Sequence, residues 1–231
     1  MRTCLALLFL VLGLAGCGGD DGDADTSAAA PATAATETAA GVDATADSGC
    51  RAVEQPAGTP EGTEKAPAAI LNAAKTYRVT VKTSCGDFTI TLDLEAAPKT
   101  TASFVALAEA DFYDGTFFHR IVPGFVIQGG DPTGTGSGGP GYSTVDTPAP
   151  DTAYTKGVVA MAKTAAEAPG TSGSQFFIVT AEDAGLPPDY AVIGKVSGGE
   201  DVVARIAVLG DPGSELPTQP VVIDDMLVQA S

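Results

Sequence analysis

Carboxylates abound in this chain, but imidazole, the side chain best suited to moving protons at neutral pH, is scarce. There is one histidine, His119, with no partner cysteine or second histidine beside it to make a metal site or a nucleophilic pair. Next to it stands Arg120, a permanently charged planar fork of five N–H donors that can address a substrate without exchanging a proton. Taken alone, Arg120 reads as a surface arginine in an ordinary salt bridge. Phe125, Val126 and Gln128 follow within eight residues. Taken alone, the first two read as core and Gln128 as a strand-end amide bonded to backbone. The glycine-rich run 129–141 could pass for a phosphate cradle, but it lacks the Gly-Lys-Ser/Thr ending and is not flanked by a strand-to-helix unit. Asp131 within it reads as turn chemistry rather than a catalytic carboxylate.

The elements that would position these residues are short. Alternating apolar and polar runs at 77–83 and 87–94, joined near Cys85-Gly86, signal a hairpin. Further strands are expected at 117–122, 125–128, 157–162, 175–180, 191–196 and 221–228. Helices are expected from Pro98 to Phe112, with proline in the first turn, and around 200–209. Many short strands between Gly and Pro loops, with only two helices, favour a closed or sandwiched β architecture over a parallel α/β sheet.

Ahead of these elements the composition changes. Between Gly18 and Glu64 the chain is Ala, Thr, Asp, Gly and Pro, with Val42 and Val53 as its only larger aliphatics, too few to offset the entropy of ordering. Ten acids against one base, Arg51, would extend it by self-repulsion. Residues 17–69 are therefore read as a disordered linker and 70–231 as the folded domain. The formal charge is −17, without a basic cluster to neutralise phosphates, so a nucleic-acid partner is not expected.

Residues 1–16 read as a signal segment: Arg2, a short apolar run from Leu5 to Leu14 too brief to span a bilayer, then small residues. Leu14-Ala15-Gly16-Cys17 resembles the bacterial lipobox, which implies cleavage before Cys17 and lipidation of its sulfur. The alternative is a plain signal peptide cut at Ala15 or Gly16. Both place the mature protein outside the cytoplasm, and the lipobox adds a membrane anchor. Cys50 and Cys85 then remain as a pair where disulfides persist, either bridged, tying the end of the linker to the first hairpin, or as two free thiols.

The string Phe118-His119-Arg120-Ile121-Val122-Pro123-Gly124-Phe125-Val126-Ile127-Gln128-Gly129-Gly130-Asp131 resembles the signature of the cyclophilins almost residue for residue. Three more blocks follow in cyclophilin order: 157–162, 173–178, and Leu186 through Tyr190 to Gly194. The resemblance covers about residues 76–229. It implies a closed eight-stranded antiparallel barrel capped by two helices, with a peptidyl-prolyl isomerase site on its outer face. By the same resemblance Arg120 is the donor to the prolyl nitrogen and Gln128 holds the substrate carbonyl. Phe125, Val126, Phe177 and Leu186 match the proline pocket, with Tyr190 where many eukaryotic members have histidine. Ala162 and Lys163 match a pair lining the substrate groove, Lys163 replacing a common asparagine. His119 matches a structural position. Gly185 stands where many members carry a cyclosporin-contacting tryptophan, so weak cyclosporin binding is expected.

The family reading implies proline-containing polypeptides as substrates, no cofactor or metal, and a monomeric state. The alternative is a non-catalytic chaperone or proline-peptide binding module. A transporter's solute-binding lipoprotein would want a larger two-lobed α/β chain, which the strand pattern does not offer.

Overall fold

The computed structural model describes residues Ser48–Ser231. The signal segment, Cys17 and the first part of the linker lie outside the described residues.

Strands β1 (Tyr77–Thr83) and β2 (Gly86–Leu92) pair in an antiparallel hairpin, with Val79, Val81, Phe88 and Ile90 directed to one face by the period of two. Helix α1 (Pro98–Glu109) follows, with Pro98 in its first turn and Phe104, Val105, Leu107 and Ala108 buried. Strands β3 (Arg120–Val122), β4 (Val126–Gly129), β6 (Val158–Met161), β8 (Phe176–Val179), β9 (Val192–Gly198) and β10 (Ile223–Ala230) complete one eight-stranded sheet, in the order β10-β1-β2-β9-β6-β8-β4-β3. Two-residue strands β5 (Thr144–Val145) and β7 (Thr171–Ser172) pair separately. Helix α2 (Glu200–Ala207) buries Val202, Val203, Ile206 and Ala207. Its acids stand in the first turn and Arg205 in the last, as its dipole favours.

The core lies on the inner face of the sheet under both helices. Phe104, Tyr113, Phe118 and Phe176 meet there with ring centroids 5.3–6.1 Å apart, mostly edge to face.

The sheet is open rather than a closed barrel. Edge strands β3 and β10 share no ladder; the seam carries a single bridge, Phe117↔Val222, and hydrogen bonds such as Phe118 N–H to Val221 O. The reason is local. Strand β3 has only three residues, and the chain before it is taken up by the turns at 111–115, so there is too little extended backbone to zip the edges together.

Residues 48–69 also depart from the expected disordered linker. Cys50 and Cys85 form a disulfide, Arg51 N–H bonds Ser84 O, and the Arg51 guanidinium pairs with Asp224 at 2.7 Å. Farther along, Thr59, Gly62 and Glu64 donate backbone hydrogen bonds to the 132–140 loop. The segment buries little side chain and is held by backbone bonds and a covalent link, which hydrophobic composition does not register.

Candidate active site

Period-two alternation sends Phe176 and Ile178 of β8 into the core and Phe177 and Val179 to the opposite, outer face. Val126 and Gln128 of β4, Ala160 of β6 and Arg120 of β3 share that outer face by register. Arg120 is paired with Gln128, Gln128 with Phe177, and Phe177 with Ala160, one row across four strands. A one-residue slip would exchange this row with the core.

Phe125 is presented by a turn. Val122-Pro123-Gly124-Phe125 places proline at the second position and Gly124 at φ +71°, and Phe125 N–H bonds Val122 O at 3.0 Å. Its carbonyl accepts from Thr180 N–H at 2.8 Å, clamping the turn to the end of β8. Val126, Phe177, Tyr154, Ala160 and Val179 form a second buried apolar cluster, with Phe125, Ala162, Leu186 and Tyr190 half-exposed against it. The result is an apolar cup on the outside of the sheet.

Tyr190 sits on the rim because Tyr154 holds it. The Tyr154 hydroxyl donates to Tyr190 O at 2.7 Å and accepts from Tyr190 N–H at 2.9 Å, and Phe177 meets the Tyr190 ring edge-on at 5.4 Å. Burial pushes the Tyr154 phenol above its ordinary pKa, which keeps it a neutral donor. Lys163 lies with its Nζ 5.5 Å from the centre of the Tyr190 ring and donates to the carbonyls of Thr164 and Glu167.

On the other side of the row the Arg120 side chain is about one-third exposed. Its Nε donates to Glu215 Oε2 at 2.7 Å, and Nη1 approaches Gln128 Oε1 at 3.5 Å. Glu215 belongs to a loop with φ +61°, pinned to β3 by the bond from Ile121 N–H to Glu215 O at 2.9 Å. Gln128 Nε2 donates to Gln175 Oε1 at 3.0 Å, and Gln175 Nε2 to Gly138 O at 2.9 Å, so both amides are held in register with the glycine-rich loop. A cleft of about 490 Å³ opens here, bordered by Gln128, Gln175, Ala162, Lys163, Tyr142 and Glu61.

His119 is buried under this loop with neither ring nitrogen bonded. Desolvation lowers its pKa; Asp131 opposes that and Arg120 reinforces it, leaving a neutral imidazole. Asp131 is fully buried. Burial raises its carboxyl, but hydrogen bonds from Thr133, Gly138 and Gly136 outweigh burial, and the net pKa is lowered. It organises the loop: Thr133 N–H and Oγ1 and Gly136 N–H all donate to it.

All nine sequence-selected side chains therefore gather on this outer face and its rim. Sequence reasoning missed Tyr154, Gln175, Glu215 and Glu61. Gln175 lies inside the motif-bearing 173–178 block, two residues before Phe177, and is the one within reach. The other three sit in polar loops without periodicity.

The family described as cyclophilin type peptidyl-prolyl cis-trans isomerase/CLD matches residues 78–228. The chain belongs to the cyclophilin family. It is 40% identical over 171 residues to peptidyl-prolyl cis-trans isomerase A of Mycobacterium tuberculosis, covering 66% of this chain and 92% of the relative. It is 39% identical over 175 residues to peptidyl-prolyl cis-trans isomerase B of Streptomyces anulatus, covering 68% and 98%. Among solved structures, a cyclophilin type isomerase of Cryptosporidium parvum superposes with a TM-score of 0.62 at 32% identity, covering 68% of this chain and 99% of that one. The same isomerase, crystallised in the presence of the dipeptide Ala-Pro, gives 0.61 at 33% identity, covering 67% and 99%. This cyclophilin is a peptidyl-prolyl cis-trans isomerase.

Proposed function

We propose that catalysis rests on Arg120 acting above the apolar cup, on exported proteins, from a lipid anchor at Cys17. Rotation about an Xaa-Pro bond breaks no covalent bond; its barrier of about 18–20 kcal/mol comes from amide resonance. A donor that takes up the prolyl nitrogen lone pair as the amide twists removes that resonance. A guanidinium held at Nε keeps its other edge for this task, and the transition state gains a charge-assisted hydrogen bond that the planar ground state lacks. Phe125, Val126, Phe177, Leu186 and Tyr190 take the ring. Gln128 holds a flanking carbonyl, and Ala162 and Lys163 line the path of the chain. The observation that supports this most directly is the Arg120–Gln128–Phe177 row, which puts charge, amide and apolar floor side by side on one rigid sheet.

Because no proton is transferred, kcat/KM for an Ala-Pro peptide should stay flat from about pH 6.5 to 9, where the buried His119 remains neutral. A bell-shaped profile would contradict the scheme. Uncatalysed isomerisation takes tens to hundreds of seconds, long enough to hold up newly exported chains. The lipobox-like run before Cys17 supports the anchor. Cys17→Ser should release the protein from the membrane fraction of a bacterial host; retention there would remove this part of the proposal. Gly185 leaves open space around its Cα, where a side chain could have met cyclosporin, which favours weak binding of that ligand.

A further inference from the structure

Gly58–Glu64 runs along the rim of the cleft. Thr59 N–H bonds Pro132 O at 2.8 Å, Gly62 N–H bonds Gly139 O at 2.9 Å, and Glu64 N–H bonds Pro140 O at 2.9 Å. The approach is close enough that a Cβ on Gly58 would strike the Thr133 backbone, and one on Gly141 the Gly62 carbonyl. Upstream, the Cys50–Cys85 disulfide fastens the same segment to the first hairpin. Gly139, which the strap bonds, adjoins Gly138, whose carbonyl receives Gln175, and Gln175 in turn receives Gln128. The strap thus borders the machinery that positions Gln128.

Its one charge inside the cleft wall is Glu61. The other two charges there, Lys163 and Glu167, are of opposite sign and are held by neutral partners, Lys163 Nζ by two carbonyls and the Tyr190 ring and the Glu167 carboxylate by the Thr164 N–H and hydroxyl, so the net charge of the cleft lining is the one that Glu61 adds. Among the described residues, no hydrogen bond or ion pair occupies the exposed Glu61 carboxylate. We propose that this strap is a wall of the substrate groove and that Glu61 biases the isomerase toward chains carrying a cationic side chain two or three residues from the proline. Ala162 borders both the cup and the cleft, so a chain seated in the cup continues into the cleft, and three extended residues reach about 10 Å along it. An unpaired carboxylate about 7 Å from a ligand cation in water-like surroundings is worth about threefold in affinity, with a matching penalty for an anion. The inference rests on the cup being the proline site.

The test uses the full chain and Ala-Pro peptides bearing Lys or Glu two or three residues to either side of proline, at low ionic strength. The readout is the ratio of kcat/KM for the Lys and Glu members of each pair, which cancels any loss common to both. On one side of the proline, wild type should favour Lys by about tenfold. Glu61→Gln should lower that ratio about ninefold, to near one, and Glu61→Lys should lower it further and invert it. The Cys50→Ser/Cys85→Ser variant, which unfastens the strap, should shift the ratio in the same direction as Glu61→Gln. Ratios that agree within 1.5-fold across all four proteins would overturn the proposal. The same ratio taken from peptide Kd values does not depend on turnover. Failure of the catalytic scheme, seen as absent acceleration, would therefore be distinguished from failure of the strap.

Discussion

Phe176 and Phe177 are chain neighbours on β8, yet they belong to different machines. Phe176 faces inward, fully buried among Phe104, Tyr113 and Phe118, in a cluster closed on all sides by the helices and the inner sheet face. Phe177 faces outward, between Tyr154 and Tyr190, in a cluster whose rim residues Phe125, Leu186 and Tyr190 remain half-exposed. Both are nearly inaccessible and both are ringed by aromatics. The difference is what finishes the packing: the first is completed by the chain itself, and the second is left open at its rim, where the proposed function seats the proline ring. The proposed site thereby places activity on the face of these strands opposite to the one that holds the core.

Mutations should separate the two faces. Phe176→Ala should cost about 4 kcal/mol of unfolding free energy, the range for truncating a core phenylalanine, while kcat/KM of the molecules that remain folded changes little. Phe177→Ala, in a cluster open at its rim, should cost about 3 kcal/mol, the low end of that range, and lower kcat/KM about tenfold or more. Chemical denaturation and peptide exchange on both variants would check this, and a larger activity loss for Phe176→Ala would break the division. The smallest effect is expected at the edge of the outer row. Glu215→Ala removes a pair whose side chains are 34% and 45% exposed, so stability should fall by less than about 1 kcal/mol. Freed at Nε, Arg120 should lose its aim, lowering kcat about fivefold with little change in KM. In an Arg120→Ala background the Glu215→Ala change should have no further effect on kcat, since Glu215 works through the guanidinium.

The two faces also differ in how far they could be read from sequence. Strand alternation at Val79/Val81 or Phe88/Ile90 is a direct print of one buried face, while the other six main strands are legible as short apolar runs between loops and α1 from its helical spacing after Pro98. The two-residue strands β5 and β7 carry no apolar period and are not legible. Closure is not legible, because pattern shows where strands are, not whether edge strands have the length to form a ladder. On the outer face the strand-borne residues Arg120, Gln128 and Phe177 were found through their motif, and β-sheet register then brought them together. Their supports Tyr154 and Glu215 lie in polar loops, where a side chain's partner is set by tertiary packing alone. Strap residues 58–64 read as linker because backbone hydrogen bonds leave no trace in composition.

The most direct test of the account is Arg120→Ala, with folding stability and Ala-Pro isomerisation measured on the same preparation. A donor contributing one charge-assisted hydrogen bond in the transition state accounts for about 1.5–3 kcal/mol, or about 10- to 100-fold in rate. The account predicts a loss of that size in kcat/KM with unfolding free energy changed by less than about 1 kcal/mol. Retained activity, or a loss that merely tracks unfolding, would contradict it.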